Sequence, residues 1–239
     1  MIQKKSVEVC LSPDLLHLYQ LEGKIAVIVD ILRATSCMVA GIGSGVARVI
    51  PVAKVEYALA YRPQGYILAG ERNGEQVEGF DIGNSPFEYM KPEFLDKTIV
   101  TTTTNGTQAI SKSQDADQII IGSFLNISSI SDYLTGSEKD VVIVCAGWKG
   151  RVNLEDSLFA GALYDRILDG YESEDDSVLV SQAIYREAKH DKLKFLQQSS
   201  HVLRLRRLNI GNDIEFCMRE DEFDVVPYLK GKEIIKITI

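Results

Sequence analysis

Short apolar runs rich in β-branched residues recur along the chain, separated by segments whose apolar positions follow helical spacing. The runs at 24–30, 47–52, 66–70, 97–103, 118–123 and 140–147 predict buried strands, and a last strand is predicted near 233–238. Between them, 34–45, 53–62, 86–95, 105–114 and 127–135 predict helices. After 147 the pattern turns helical at 154–169, 177–190 and 199–209. The opening MIQKKSVEVCLSPDLL offers only a short alternating run. Strands regularly separated by helices imply a layered α/β fold with a largely parallel sheet. The acidic stretch YESEDDS (171–177) reads as a loop joining two helices. Neither side of it shows a self-sufficient core, so residues 1–239 are expected to form one domain.

Charge narrows the function classes. With 26 Lys+Arg against 34 Asp+Glu the chain carries a formal charge of −8, the wrong sign for a surface that neutralises phosphates, so no nucleic-acid partner is expected. No stretch approaches the roughly 20 apolar residues of a membrane span, and the N-terminus lacks the apolar core of a signal peptide. No membrane association and a cytoplasmic location are therefore expected. Cys10, Cys37, Cys145 and Cys217 are widely spaced with no CxxC, the pattern of reduced thiols and not of a disulfide framework or zinc site.

In open α/β sheets ligands bind at the carboxyl ends of strands, and here those ends carry unusual residues. They read Asp30-Ile-Leu-Arg33, Glu71-Arg72-Asn73-Gly74, Thr103-Thr104-Asn105-Gly106-Thr107, Ser123-Phe-Leu-Asn126 and Gly147-Trp-Lys-Gly-Arg151, the last followed by Glu155-Asp156. Arg33, Arg72 and Arg151 offer fork-shaped donors that match phosphate oxygens. The Thr-Asn-Gly-Thr loop opening a helix supplies hydroxyls and backbone N–H groups for an anion. Asp30, Glu71, Asp81, Glu155 and Asp156 are hard oxygen ligands, and carboxylates beside phosphate-binding groups suit Mg²⁺. Together they predict Mg²⁺-assisted chemistry on a small anionic phosphoester.

Each piece has a bland alternative that the sequence leaves open. Ser85-Pro86-Phe87-Glu88 also reads as a capping box, Asn153-Leu-Glu155-Asp156 as an N-cap with acids in the first turn, and Asn105-Gly106 as a plain turn. Asp30 and Arg33 also read as a surface ion pair. His17, His190 and His201 sit in helical segments away from the strand-end motifs and read as solvated or capping residues. Arg204, Arg206 and Arg207 read as the outer side of a helix. Trp148, the sole tryptophan, reads equally as a substrate wall or as loop filler. The run at 30–34 lacks the second Asp of aspartate-nucleophile phosphatases. Cys145 and Arg151 match the C-x5-R spacing of cysteine phosphatases, but that chemistry uses no metal and leaves the carboxylates unexplained.

The set VDILRAT (29–35), GERNG (70–74), FDIGNSP (80–86), TTTNGT (102–107), GSFLN (122–126) and CAGWKGR…LED (145–156) resembles the 2-phosphosulfolactate phosphatase family, collinearly and over most of the chain, with a weaker echo through Ser200-His201, Gly211-Asn-Asp213-Ile214 and Val226-Pro227. The resemblance implies a three-layer α/β/α fold with a mixed, largely parallel sheet. It also implies Mg²⁺-dependent hydrolysis of 2-phosphosulfolactate, or a related 2-phospho-carboxylate, on the way to coenzyme M. On this reading Asp30, Arg33, Arg72 and Arg151 are catalytic, and Asp30, Glu71, Glu155 and Asp156 bind the metal. Asn84, Ser85, Thr103, Thr104, Asn105, Thr107, Ser123 and Asn126 hold the substrate. Asp30 serves as nucleophile, as base or only as metal ligand. A homodimer is expected, since symmetric dimers are common among small enzymes. A Mg²⁺-dependent lyase or isomerase would need the same anion cradle. A non-catalytic metabolite sensor would explain the arginines but not the clustered acids.

Overall fold

The computed structural model describes residues 4–208 and 210–237. Strands β1 (Lys5–Cys10), β2 (Ile25–Val29), β3 (Arg48–Pro51), β4 (Ile67–Arg72), β5 (Glu75–Gln76), β6 (Thr98–Thr102), β7 (Gln118–Gly122), β8 (Val141–Cys145), β9 (Tyr171–Glu172), β10 (Pro227–Lys230) and β11 (Glu233–Lys236) form one sheet. Its order is β5-β4-β6-β3-β11-β10-β7-β2-β8-β1-β9, eleven strands in all. Two parallel blocks stand out: β7-β2-β8-β1-β9 and β3-β6-β4. The antiparallel hairpin β10–β11 lies between them and pairs antiparallel with β7 on one side and β3 on the other. The blocks therefore run in opposite senses.

The helices are α1 (Ala34–Gly43), α2 (Val55–Leu59), α3 (Pro86–Tyr89), α4 (Gly106–Lys112), α5 (Ile127–Thr135), α6 (Leu154–Ile167), α7 (Asp176–Ala188), α8 (Lys192–Phe195), α9 (Ser200–Arg207) and α10 (Gly211–Cys217). The period of two along the strands assigns them to layers. Ala26, Ile28, Ile119, Ile121, Val142 and Val144 of the large block share one apolar cluster with Val49, Ala69 and Ile99 of the small block, around Cys37, Met38 and Val39 of α1. The alternate residues Val27, Val29, Ile120, Ile143 and Cys145 pack on the other face with Leu134 of α5, Leu158 and Leu163 of α6 and Val178 of α7. Behind the small block lies only a minor cluster of Ile50, Ala58, Leu68, Phe80 and Val100. The result is a three-layer α/β/α fold. Helix α1 is buried from Ala34 to Ile42, as its continuous small and apolar sequence requires. Helix α6 is pressed between sheet and α7, and a Cβ on Gly161 would lie 2.0 Å from the Ser181 carbonyl oxygen. Only glycine allows that crossing.

The predicted elements recur with several corrections. The helix expected over 86–95 stops at Tyr89 and resumes as a single tight turn at Pro92–Phe94, because Pro92 donates no N–H and crowds the residue before it. The stretch expected to be a loop holds the edge strand β9. Its Asp175 caps α7 through Ser177 N (2.9 Å) and accepts Val9 N of β1 (2.9 Å). Strands β1 and β10 and helices α8 and α10 were not expected: β1 mixes charged with apolar residues, and β10 opens on a proline. The end of the predicted final strand at 238 and of the predicted helix at 209 lie outside the described residues. No helix among the described residues is long and apolar enough to cross a membrane.

Candidate active site

The strand ends of both blocks meet at one narrow cavity lined by Asp30, Arg33, Glu71, Asn84, Thr103, Asn105, Trp148, His201 and Arg204. The blocks meet closely there. A Cβ on Gly106, at the start of α4 in the small block, would lie 2.6 Å from Ala34 Cβ of α1 and 2.9 Å from Asp30 Oδ2. Glycine at 106 thus allows the start of α4 to approach Asp30 this closely. The cavity's accessible volume is about 20 Å³, enough to seat an ordered water.

Four carboxylates gather at these strand ends, and their hydrogen bonds separate them. Asp156, buried at the start of α6, accepts Ile31 N (2.9 Å) and Gly147 N (3.0 Å), so it pins the loops after β2 and β8 to each other. Glu71 does the same for the small block: it accepts Gly74 N (2.6 Å), Thr104 N (2.9 Å) and the Thr104 hydroxyl (2.7 Å), joining the loops after β4 and β6. Glu155 is wholly buried against His201 Nδ1 and accepts the Ser199 hydroxyl at 3.3 Å. Asp30 differs. Its Oδ1 accepts Ala34 N (3.3 Å), while Oδ2 accepts no hydrogen bond from the described residues. Burial pushes its carboxyl up to about 6, with Glu71 and Glu155 adding to the rise and His201 and the Ala34 N–H opposing it. Burial, with Glu155 and Asp30 nearby, also holds the Asp156 carboxyl well above the usual range.

The cations are placed as unevenly. Arg33 is not paired with Asp30; it forms a buried ion pair with Asp213 of α10, which also accepts the Ser85 hydroxyl (3.0 Å). A second Arg33 nitrogen reaches the Gly74 carbonyl at 3.4 Å and ties the two blocks. Arg72 faces away from the cavity and donates to Glu71 O (2.6 Å), Thr102 O (3.2 Å) and Thr102 Oγ1 (2.9 Å). Arg151 is exposed. Of the substrate-binding candidates, Asn84, Thr103 and Asn105 line the cavity. Asn84 Oδ1 is buried with no hydrogen-bond partner. Asn105 Oδ1 accepts Lys149 N at 3.2 Å, a second tie between blocks. The hydroxyl of Thr107 is spent on Thr103 O (2.9 Å), and Thr104 is spent on Glu71. Ser123 and Asn126 lie outside the cavity as a buried capping box. Ser85 and Asn153 make no side-chain cap: Glu88 turns to Gly83 N (2.9 Å), and Asn153 Nδ2 meets His201 Nδ1 at 3.3 Å. Asp81 sits outside in an exposed pair with Arg62 (2.9 Å). Cys145 points into the core beneath the sheet, and burial raises its thiol well above the ordinary range, which leaves no thiolate for attack.

Helix α9 lines the cavity with His201, Arg204 and Leu205; helical spacing alone reads His201 and Arg204 as solvated or outer residues, and only the family resemblance touches His201. His201 is buried, held at Nδ1 by Glu155, and its ring stacks on Trp148 with centroids 5.8 Å apart. Arg204 lies with its guanidinium carbon 3.3 Å from the centroid of the same indole. It faces inward, unlike the outer helical face expected. A signal was present: His201, Arg204 and Leu205 stand three and four residues apart on one helical face, beside the apolar Val202.

Carboxylates, buried cations and an orphaned amide oxygen at converging strand ends of an α/β sheet define an enzyme-type site for a small anionic ligand. The chain belongs to the 2-phosphosulpholactate phosphatase family, whose model matches residues 10–232. A protein of Thermotoga maritima is 43 % identical over 216 residues, covering 90 % of this chain and 93 % of the relative. One of Caldanaerobacter subterraneus subsp. tengcongensis is 41 % identical over 217 residues, 88 % of this chain and 90 % of the relative. One of Clostridium acetobutylicum is 34 % identical over 235 residues, 96 % and 99 % of the two chains. All three carry the name "Probable 2-phosphosulfolactate phosphatase".

Proposed function

We propose that the chain is a phosphoric monoester hydrolase that converts 2-phosphosulfolactate to sulfolactate and inorganic phosphate, with Mg²⁺ as cofactor. Family membership and the names of its relatives support the substrate. The observation that carries the site is Asp30, the strand-end carboxylate with an oxygen left for chemistry. As nucleophile toward phosphorus, or as base toward water, Asp30 uses the same Oδ2 lone pair and must be deprotonated. His201 is tied to Glu155 through Nδ1, which leaves its other ring nitrogen to donate a proton to the departing oxygen. Arg33, held by Asp213, presents fixed positive charge to the phosphate.

The donor set fits a hard cation. The unbonded oxygen of Asp30 and the orphaned amide oxygen of Asn84 are hard ligands, and Mg²⁺ takes one or two protein groups with substrate and water completing its shell. No three His, Cys, Asp or Glu side chains among the described residues form a cage by themselves, which favours a cation held jointly with the phosphate. Asp30 and Asn84 would hold it, with Glu71 beside them. When bound it would neutralise charge on the phosphoryl oxygens. The same reading assigns the enzyme to the cytoplasm as a homodimer, on the route to coenzyme M.

The test is phosphate release from racemic 2-phosphosulfolactate and 2-phospholactate, with Mg²⁺ and then with EDTA. Release from the sulfonate that EDTA abolishes is the expected outcome. Consumption of substrate without free phosphate would make the protein a lyase or isomerase instead.

A further inference from the structure

The mechanism above leaves Arg204 unused, although it is the cavity's least committed cation. Arg33 is held in place by Asp213 and by the Gly74 carbonyl. Arg204 makes no ion pair or hydrogen bond with the described residues, and its Nε is buried without a partner. What holds it is the indole of Trp148, 3.3 Å below the guanidinium carbon. Burial lowers its pKa from the usual value, and Glu71 and Glu155 oppose that shift. A guanidinium stacked on a π face keeps its in-plane N–H donors unpaired, so an oxyanion offering two acceptors can take them in bidentate fashion.

Resting on the phosphatase reading, we propose that Arg204 is the specificity residue that takes the substrate's non-phosphate anion, a carboxylate or sulfonate, while the Asp30 side of the cavity takes the phosphate. Arg204 and Asp30 line the same cavity from different elements, Arg204 from α9 and Asp30 from the end of β2, so one small molecule with two anionic ends can meet both. It is partly exposed and hydrogen-bonded to none of the described residues, so it can turn toward a ligand without breaking a hydrogen bond. Rotating from the ring to the ligand uncovers Trp148, the only tryptophan of the chain, and gives the event its own reporter.

The proposal predicts that sulfolactate, which has no phosphate, binds the wild-type protein in calorimetric titration and shifts Trp148 fluorescence. Arg204→Gln weakens that binding at least tenfold, and Arg204→Lys, with charge but no fork, falls between. With lactate in place of sulfolactate, equal dependence on Arg204 identifies the carboxylate as the group taken, and dependence confined to sulfolactate identifies the sulfonate. In turnover, Arg204→Gln lowers kcat/KM for 2-phosphosulfolactate at least ten times more than for phenyl phosphate, chiefly through KM. An equal loss on both esters, or sulfolactate binding that ignores both variants while their melting curves match wild type, overturns the proposal. If the wild type hydrolyses neither ester yet sulfolactate binding still requires Arg204, the hydrolase reading fails and the anion subsite stands.

Discussion

The two parallel blocks solve the same local problem and differ in what surrounds them. In each, one buried carboxylate binds backbone N–H groups of two neighbouring strand-end loops: Asp156 for β2 and β8, Glu71 for β4 and β6. The large block does so with a continuous core behind it, the small block with a minor cluster and the short α2. Asp30 lies between them with half its carboxylate unclaimed. Residue type therefore does not separate structural from chemical acids here. The separation comes from whether the protein has already taken their lone pairs.

Three measurements test that separation, and removing the unclaimed acid has the largest effect. Asp30→Asn is expected to cut turnover at least a thousandfold with no loss of melting temperature. Activity within tenfold of wild type would remove Asp30 from the chemistry. Next, Asp156→Asn and Glu71→Gln each set an amide N–H against a backbone donor. Each is expected to cost about 1–3 kcal/mol, or roughly 2–4 °C of Tm per kcal/mol at this chain length. If the blocks are independent, the double variant adds within about 0.5 kcal/mol; a larger coupling energy would show that the strand ends act as one unit.

The smallest effect is a pH dependence. Burial pushes the folded carboxyl of Asp30 up from the ordinary 3.8 to about 6, so between these pH values the folded chain keeps a proton that the unfolded chain releases. Stability from this group therefore falls as pH rises from about 4 to 6. In EDTA, melting curves should show Asp30→Asn gaining a few degrees on wild type across that interval, and parallel curves would refute the shift. Activity should rise over the same interval, because the working form is the carboxylate.

Much of the fold was legible because β2, β7 and β8 are buried on both faces and read as unbroken apolar runs. Strand β1 was not, since Lys5, Ser6 and Glu8 interrupt it and its pairing partners are distant in sequence. The small block's loops showed their polar residues, but not which would be consumed locally: Thr104 and Thr107 look like ligands until their hydrogen bonds are seen. Arg72 and Arg33 follow strands alike, yet one faces a neighbouring backbone and the other a carboxylate 180 residues away. Asp213 and the α9 wall lie far along the chain from the strand ends: the family resemblance touches Ser200-His201 and Asp213 only weakly, and neither reading reaches Arg204. His201 and Arg204 show that a polar pair on one helical face beside buried apolar residues merits the same scrutiny as a strand end.

The hairpin β10–β11 has a consequence during synthesis. Among the described residues it is the only strand pairing between the two blocks, and it is made after every other strand of the sheet described here. Until then the nascent chain carries two partial sheets whose inner edges, β7 and β3, are bare, and bare edges invite pairing with other chains. A stop codon just before residue 227 would therefore keep every cavity-lining residue in the chain and still yield a protein that aggregates.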